Sequence, residues 1–155
     1  MSFLQKNFYN LNFYGTDWAD SACKKLIENE ILSKDKVGLT NFFEPSSYFS
    51  PSSKYIAFTN ASLEQTGENY RQFMEYLFLN DFCSGGIHIE PIRELLDLSY
   101  NINKQSYSYA EKRGYLKNFY NYMSLNNDIN IFKAHDYGIG SKYINGYQVL
   151  CWIKK

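Results

Sequence analysis

Few side chains in this sequence have wide scope for chemistry. There are two histidines, His88 and His135, and three cysteines, Cys23, Cys83 and Cys151. Two histidines cannot build an all-histidine metal centre. No second Cys–His cluster completes the four ligands of a structural zinc, so no metal is expected. Cys83, His135 and Asp136 are the residue types of a thiol nucleophile, its base and an orienting carboxylate, the set of a cysteine hydrolase. Against that, Cys83 reads as the C-terminal end of a helix, where the negative dipole end raises a thiol pKa. Adjacent side chains on a strand, as at His135-Asp136, also point to opposite faces. A buried structural cysteine is the alternative. His88 and Glu90 lie two apart on a short strand, share a face and can form an acid/base pair. Their alternative is a surface pair, with Glu90 supporting a helix opened by Pro91. The chain has no dinucleotide glycine fingerprint and no phosphate-cradling loop, and Gly138-Ile139-Gly140 reads as a turn.

The elements that must position these residues can be read from periodicity and punctuation. Residues 8–14 alternate and are aromatic, which suits a strand broken by Gly15-Thr16. A helix follows to about Leu32, with Trp18, Ala22, Leu26, Ala19, Cys23 and Ile27 inward. Residues 40–53 hold Pro45, Pro51 and five serines and read as a loop. Residues 54–59 read as a strand. A helix follows, opened by a Ser62–Gln65 capping box, with Tyr70, Phe73, Met74, Leu77 and Phe78 inward. Ser84-Gly85-Gly86 breaks it before a strand at 87–89. Pro91 opens a third helix, and Ser108–Glu111 caps a fourth, running to about Leu125. A strand at 129–132 precedes a hairpin whose type I′ turn is Asn145-Gly146. Residues 147–152 are apolar on both faces, which suits a central strand buried on both sides. The expected fold is α+β: a single domain over 1–155, with four helices and a mixed or antiparallel sheet.

Three segments together resemble the ADP-ribosyltransferase-like proteins. Phe13-Tyr14-Gly15-Thr16, with the following helix ending Leu26-Ile27-Glu28-Asn29-Glu30-Ile31-Leu32, is similar to that family's opening strand and helix. Ser47-Tyr48-Phe49-Ser50, followed by Ser52, Ser53, Lys54 and Tyr55, is similar to its Tyr-Phe-Ala/Ser segment. Gly146-Tyr147-Gln148-Val149-Leu150 resembles its closing strand. The resemblance implies an NAD-using effector acting on a host or competitor macromolecule. Tyr14, Gly15 and Thr16 would hold the nicotinamide amide, and Tyr48 and Ser50 would line the ring's site with Tyr48 stacking on it. The family's histidine is Tyr14 here. Its late glutamate has no counterpart, because the last glutamate is Glu111. The late carboxylates are Asp128 and Asp136. Asp136, Glu90 and His88 are the catalytic candidates.

Composition narrows the remaining classes. Sixteen basic and sixteen acidic residues give a formal net charge of zero, which argues against a phosphate-neutralising nucleic-acid binder and a polybasic membrane anchor. The odd, unpaired cysteines suit a reducing compartment, and no signal-like or membrane-length apolar run occurs. A cytoplasmic location is expected, in the producing cell or in a host after delivery. Aromatics make up 19% of the chain, with 15 tyrosines. Tyrosine gives large, rigid contact area at small entropic cost, so a non-enzymatic protein-binding inhibitor is the competing class. An immunity protein or a phage anti-defence factor would be of this kind. Tyr107 and Tyr109 straddle the expected cap of the fourth helix, which should leave at least one exposed. The bland reading of the tyrosines is base-composition drift and ordinary packing.

Overall fold

The computed structural model describes residues 2–44, 48–141 and 145–155, apart from the side chains of residues 2, 3 and 139. The chain divides into two compact units, Met1–Ser53 and Lys54–Lys155. The boundary falls in the Pro/Ser-rich stretch read as a loop.

The first unit is built on one β-α-β crossover. Its elements are α1 (Ser2–Asn7), β1 (Gly15–Asp17), α2 (Asp20–Glu28) and β2 (Val37–Leu39). β1 and β2 pair in parallel, Gly15 opposite Val37. Asp17 starts the crossover by accepting the Ala19 N–H at 2.9 Å. The expected strand at 8–14 is not formed, and the Gly15-Thr16 break is itself the strand. Parallel pairing with residues 37–39 fixes it there, a long-range partner that local pattern cannot reveal. In α2, Cys23 is buried as expected and its thiol donates to the Gly38 carbonyl at 3.3 Å, while Trp18 is exposed.

The second unit is a four-stranded mixed sheet in the order β3-β4-β6-β5. Its strands are β3 (Tyr55–Asn60), β4 (Cys83–Glu90), β5 (Ile129–Gly140) and β6 (Asn145–Lys154), and its helices are α3 (Tyr70–Leu79), α4 (Asn101–Lys112) and α5 (Phe119–Ser124). β3 and β4 are parallel, joined through α3, and β6 pairs antiparallel with both β4 and β5. One sheet face carries Trp152, Leu150 and His88. It packs on Tyr70, Met74 and Leu77 of α3 and on Phe119 and Met123 of α5, all buried. Phe78 meets Trp152 edge-on at 5.2 Å, and Tyr70 meets Phe119 at 5.1 Å. The α+β expectation holds, with a mixed sheet and five α-helices among the described residues.

Several local expectations are corrected. Ser84-Gly85-Gly86 does not end a helix but lies inside β4. The glycines are there for close approach, since a Cβ on Gly86 would sit 2.6 Å from Trp152 Nε1. Cys83 therefore opens a strand and does not close a helix. The helix after Pro91 is only a short 3-10 turn at Arg93–Leu95. The long helix ending near Leu125 is two helices, broken where Gly114 and Asn118 take φ of +66° and +57°. The Leu116 and Lys117 N–H groups there bond back to the carbonyls of Glu64 and Gly67. Ser108 lies within α4, and neither it nor Ser62 caps a helix. Tyr109 is exposed, as expected of one of the two tyrosines. Asn145-Gly146 is not the hairpin turn: both residues begin β6, with Asn145 opposite Gly140. Lys142-Tyr143-Ile144 and Pro45-Ser46-Ser47 lie outside the described residues. β6 is central, but its burial is uneven, because Leu150, Cys151 and Trp152 are covered and Ile153 is 43% exposed.

Candidate ligand-binding site

A cleft of about 360 Å³ opens in the second unit where the start of β6 meets α4 and the chain leaving β4. That is the small end of the range for small-molecule sites, roughly 300–1,000 Å³. β6 contributes Asn145, Gly146, Tyr147 and Gln148, α4 contributes Ser106, Tyr109 and Ala110, and the 3-10 turn after Pro91 contributes Arg93. Glu64 and Tyr115 also line it.

Three side chains on its wall are buried with polar atoms that find no partner among the described residues. Gln148 is 1% exposed, and neither its Oε1 nor its Nε2 has a hydrogen-bond partner. Arg93 is 7% exposed. Its guanidinium lies 5.3 Å from the centre of the Tyr107 ring, and its Nη1 is unpartnered. Asn145 is 9% exposed and its Oδ1 is unpartnered. Its Nδ2 is held firmly, donating to Asn103 Oδ1 at 2.9 Å and to Asp136 Oδ2 at 2.7 Å. Its backbone N–H donates to Ser106 Oγ at 2.8 Å. Asn145 is thus fixed from both sides with its oxygen left over, and those buried bonds outweigh its preference for a turn. Buried polar groups in folded proteins are nearly always bonded, so three residues with unpartnered groups lining one cleft make it the candidate site.

Behind the cleft, Glu90, Gln148 and Asp136 occupy one row across β4, β6 and β5. The sheet therefore gathers two of the three catalytic candidates on either side of Gln148. Asp136 orients Asn145 and also accepts the Gly138 N–H at 3.0 Å. Glu90 is fully buried and accepts the N–H groups of Ser62 at 3.0 Å and Leu63 at 3.2 Å. Burial pushes its carboxyl up to about 7, against the lowering effect of those bonds and one from the Thr59 hydroxyl. His88 shares the face of Glu90, as the spacing implied, and is also fully buried. Trp152 Nε1–H donates to His88 Nε2 at 2.9 Å, which places the ring proton on Nδ1, facing Thr59 Oγ1 at 2.9 Å. Burial lowers the imidazole to about 3. His88 and Glu90 are therefore not a surface pair, and Glu90 serves the chain at Ser62-Leu63 rather than the turn after Pro91. Neither lines the cleft.

The thiol–imidazole set is not assembled. Cys83 and His135 lie on β4 and β5, with β6 between them. His135 is level with Val149 and Ile89, six residues along β4 from Cys83, so about 20 Å separates them along the strand direction. Cys83 is 1% exposed, its thiol pKa is raised by burial, and it donates to the Gly85 carbonyl. His135 is exposed against the edge of Tyr137. Among the described residues no three His, Cys, Asp or Glu side chains cluster as metal ligands would.

The nicotinamide candidates all fall in the first unit. Gly15 is buried and Thr16 exposed in β1. The Tyr14 ring lies 6.1 Å from that of Phe49, so the two motif segments meet. Tyr48 donates its hydroxyl to the Phe42 carbonyl at 2.8 Å, and Ser50 donates to the Pro51 carbonyl at 3.3 Å. Asp136, Glu90 and His88 belong to the other unit. Arg93, Asn145 and Gln148 were not among the site candidates read from the sequence. One signal was present: Gln148 shares a strand face with Leu150 and Trp152, a polar residue where the pattern calls for an apolar one. No protein-family model matches the chain, and no curated protein matches it. No helix among the described residues is long and apolar enough to cross a membrane.

Proposed function

We propose that the second unit is a binding domain for a small polar molecule, and that the protein acts through what this cleft holds. One observation carries the reading: Gln148, a lining residue of the cleft, is almost fully buried with both amide atoms unpartnered among the described residues. Arg93 and Asn145 add a spare donor and a spare acceptor beside it. A core glutamine in this state is costly to a folded protein unless a ligand completes it. The three buried cysteines are unpaired, which supports a reducing compartment, and we place the protein in the cytoplasm of its producer or of a host. The test is a thermal-shift screen of the full chain against nucleotides, amino acids, sugars and small carboxylic acids. At least one class should raise the melting temperature of the wild type and not of Gln148→Met. A screen without any stabilising class, together with a destabilised Gln148→Met, refutes the reading.

A second reading is ADP-ribosyl transfer from NAD to a macromolecular target. Its support is the resemblance of the Tyr14-Gly15-Thr16 and Tyr48-Phe49-Ser50 segments, together with the Tyr14–Phe49 ring contact that joins them. Calorimetric titration with NAD decides it. Binding lost in Tyr48→Ala but kept in Gln148→Met favours transfer, and no heat from the wild type at millimolar NAD removes it.

A further inference from the structure

Resting on the reading of the cleft as a small-molecule site, we propose that its ligand is a mononucleotide, with the base edge on Gln148 and the phosphate on Arg93. A carboxamide offers one acceptor and one donor side by side. Both are unpartnered on Gln148 among the described residues, so a ligand that satisfies both presents a donor next to an acceptor. A carboxylate presents acceptors alone and would leave Oε1 unmet. An ammonium or guanidinium presents donors alone and would leave Nε2 unmet. One planar edge that meets both is a nucleobase amino group beside a ring nitrogen, the edge by which glutamine and asparagine read adenine.

The surroundings suit the rest of such a molecule. Tyr109 and Tyr147 provide aromatic wall for a planar ring. Arg93 Nη1 is an unspent charged donor, matched to a phosphate oxygen. Tyr107 holds the guanidinium in place from its ring face. Asn145 Oδ1 is an acceptor fixed by two bonds on its own amide nitrogen, suited to a ribose hydroxyl. The Glu64 carboxylate stands on the same wall and limits the anionic charge tolerated nearby. The volume, about 360 Å³, suits one nucleotide rather than two.

Calorimetry on the full chain tests this with the four ribonucleoside monophosphates, their nucleosides, inorganic phosphate and NAD. At least one monophosphate should bind. Its nucleoside should bind roughly tenfold or more weakly, and Arg93→Gln should erase that difference while leaving nucleoside affinity intact. Gln148→Met should lose nucleoside and nucleotide alike. Melting curves of both variants confirm that they fold. Arg93→Lys should keep part of the phosphate preference and stands in if Arg93→Gln does not fold. If no monophosphate binds while another class in the thermal-shift screen does, the mononucleotide is refuted and the cleft reading stands. If nothing in that screen stabilises the wild type and Gln148→Met lowers stability, both are refuted. Binding of a monophosphate that Gln148→Met and Arg93→Gln leave unchanged places the nucleotide elsewhere and also overturns the proposal.

Discussion

Replacing Gln148 by methionine should stabilise the unliganded protein. The side chain is 1% exposed and both its polar atoms lack partners among the described residues. An unpartnered buried polar group costs about 1–3 kcal/mol. The two atoms share one desolvated carboxamide, so roughly 2 kcal/mol is recoverable by removing it. Methionine is unbranched, similar in length and adaptable, and swaps that conserve volume cost less than about 1.5 kcal/mol. The expected net gain is about 1 kcal/mol. Unfolding entropy is about 2.1 cal/mol/K per residue near 60 °C, so a chain of 155 residues gains roughly 3 °C per kcal/mol. The variant should therefore melt about 3 °C higher. Urea denaturation should show the same gain as a higher midpoint with an unchanged slope. A variant destabilised by more than about 1 kcal/mol would mean that Gln148 is a bonded core residue. The argument for a ligand would then lose its foundation.

The buried pair behind the cleft gives a pH signature. Glu90 is raised from 4.5 to about 7, so its neutral form favours folding and stability is lost as pH rises through that window. His88 is lowered from 6.5 to about 3, so stability is lost as pH falls through that one. Between about pH 4.5 and 6.5 the two slopes oppose. Relative to wild type, Glu90→Gln should gain stability with pH there at about 1.4 kcal/mol per unit, measured by urea titration at several pH values; parallel profiles would refute the burial assignment. Gly86→Ala places a Cβ 2.6 Å from Trp152 Nε1 and 2.9 Å from His88 Nε2. It should destabilise by about 1–3 kcal/mol as overpacking, and an unchanged melting temperature would contradict the close approach. Cys83→Ser should fold with a loss of about 1 kcal/mol, and native Cys83 should resist iodoacetamide at neutral pH; rapid labelling would show that it is reachable.

Some of the fold was legible because its signals are local. The inward face of α3 follows from helical spacing, and Tyr70, Phe73, Met74 and Leu77 are buried as that spacing requires. Leu116, Phe119 and Met123 are buried although the helix read there is interrupted. What failed was punctuation. Glycine at 85 and 86 reads as a break, yet it serves the packing of β4 on Trp152, which is more than sixty residues distant. Asn145-Gly146 reads as a turn, yet Asn145 bonds to Asn103 and Asp136 from within a strand. Both residue types have a second physical use that only a distant partner discloses.

The same asymmetry governs the site. Histidine, cysteine and glutamate attract attention by type, and in this molecule three of them are buried: the His88 imidazole is held low, the Cys83 thiol is raised, and the Glu90 carboxyl oxygens accept backbone N–H groups. Gln148 and Arg93, whose types suggest an ordinary surface, keep unspent bonding capacity in a buried place. Chemical scope in a fold belongs to groups that are both desolvated and unsatisfied, and residue type reports neither condition. Pattern reports the first of them. A glutamine on the apolar face of a central strand has been desolvated at a cost the fold itself does not repay. That makes Gln148, rather than any histidine or cysteine, the residue on which the proposed ligand site rests.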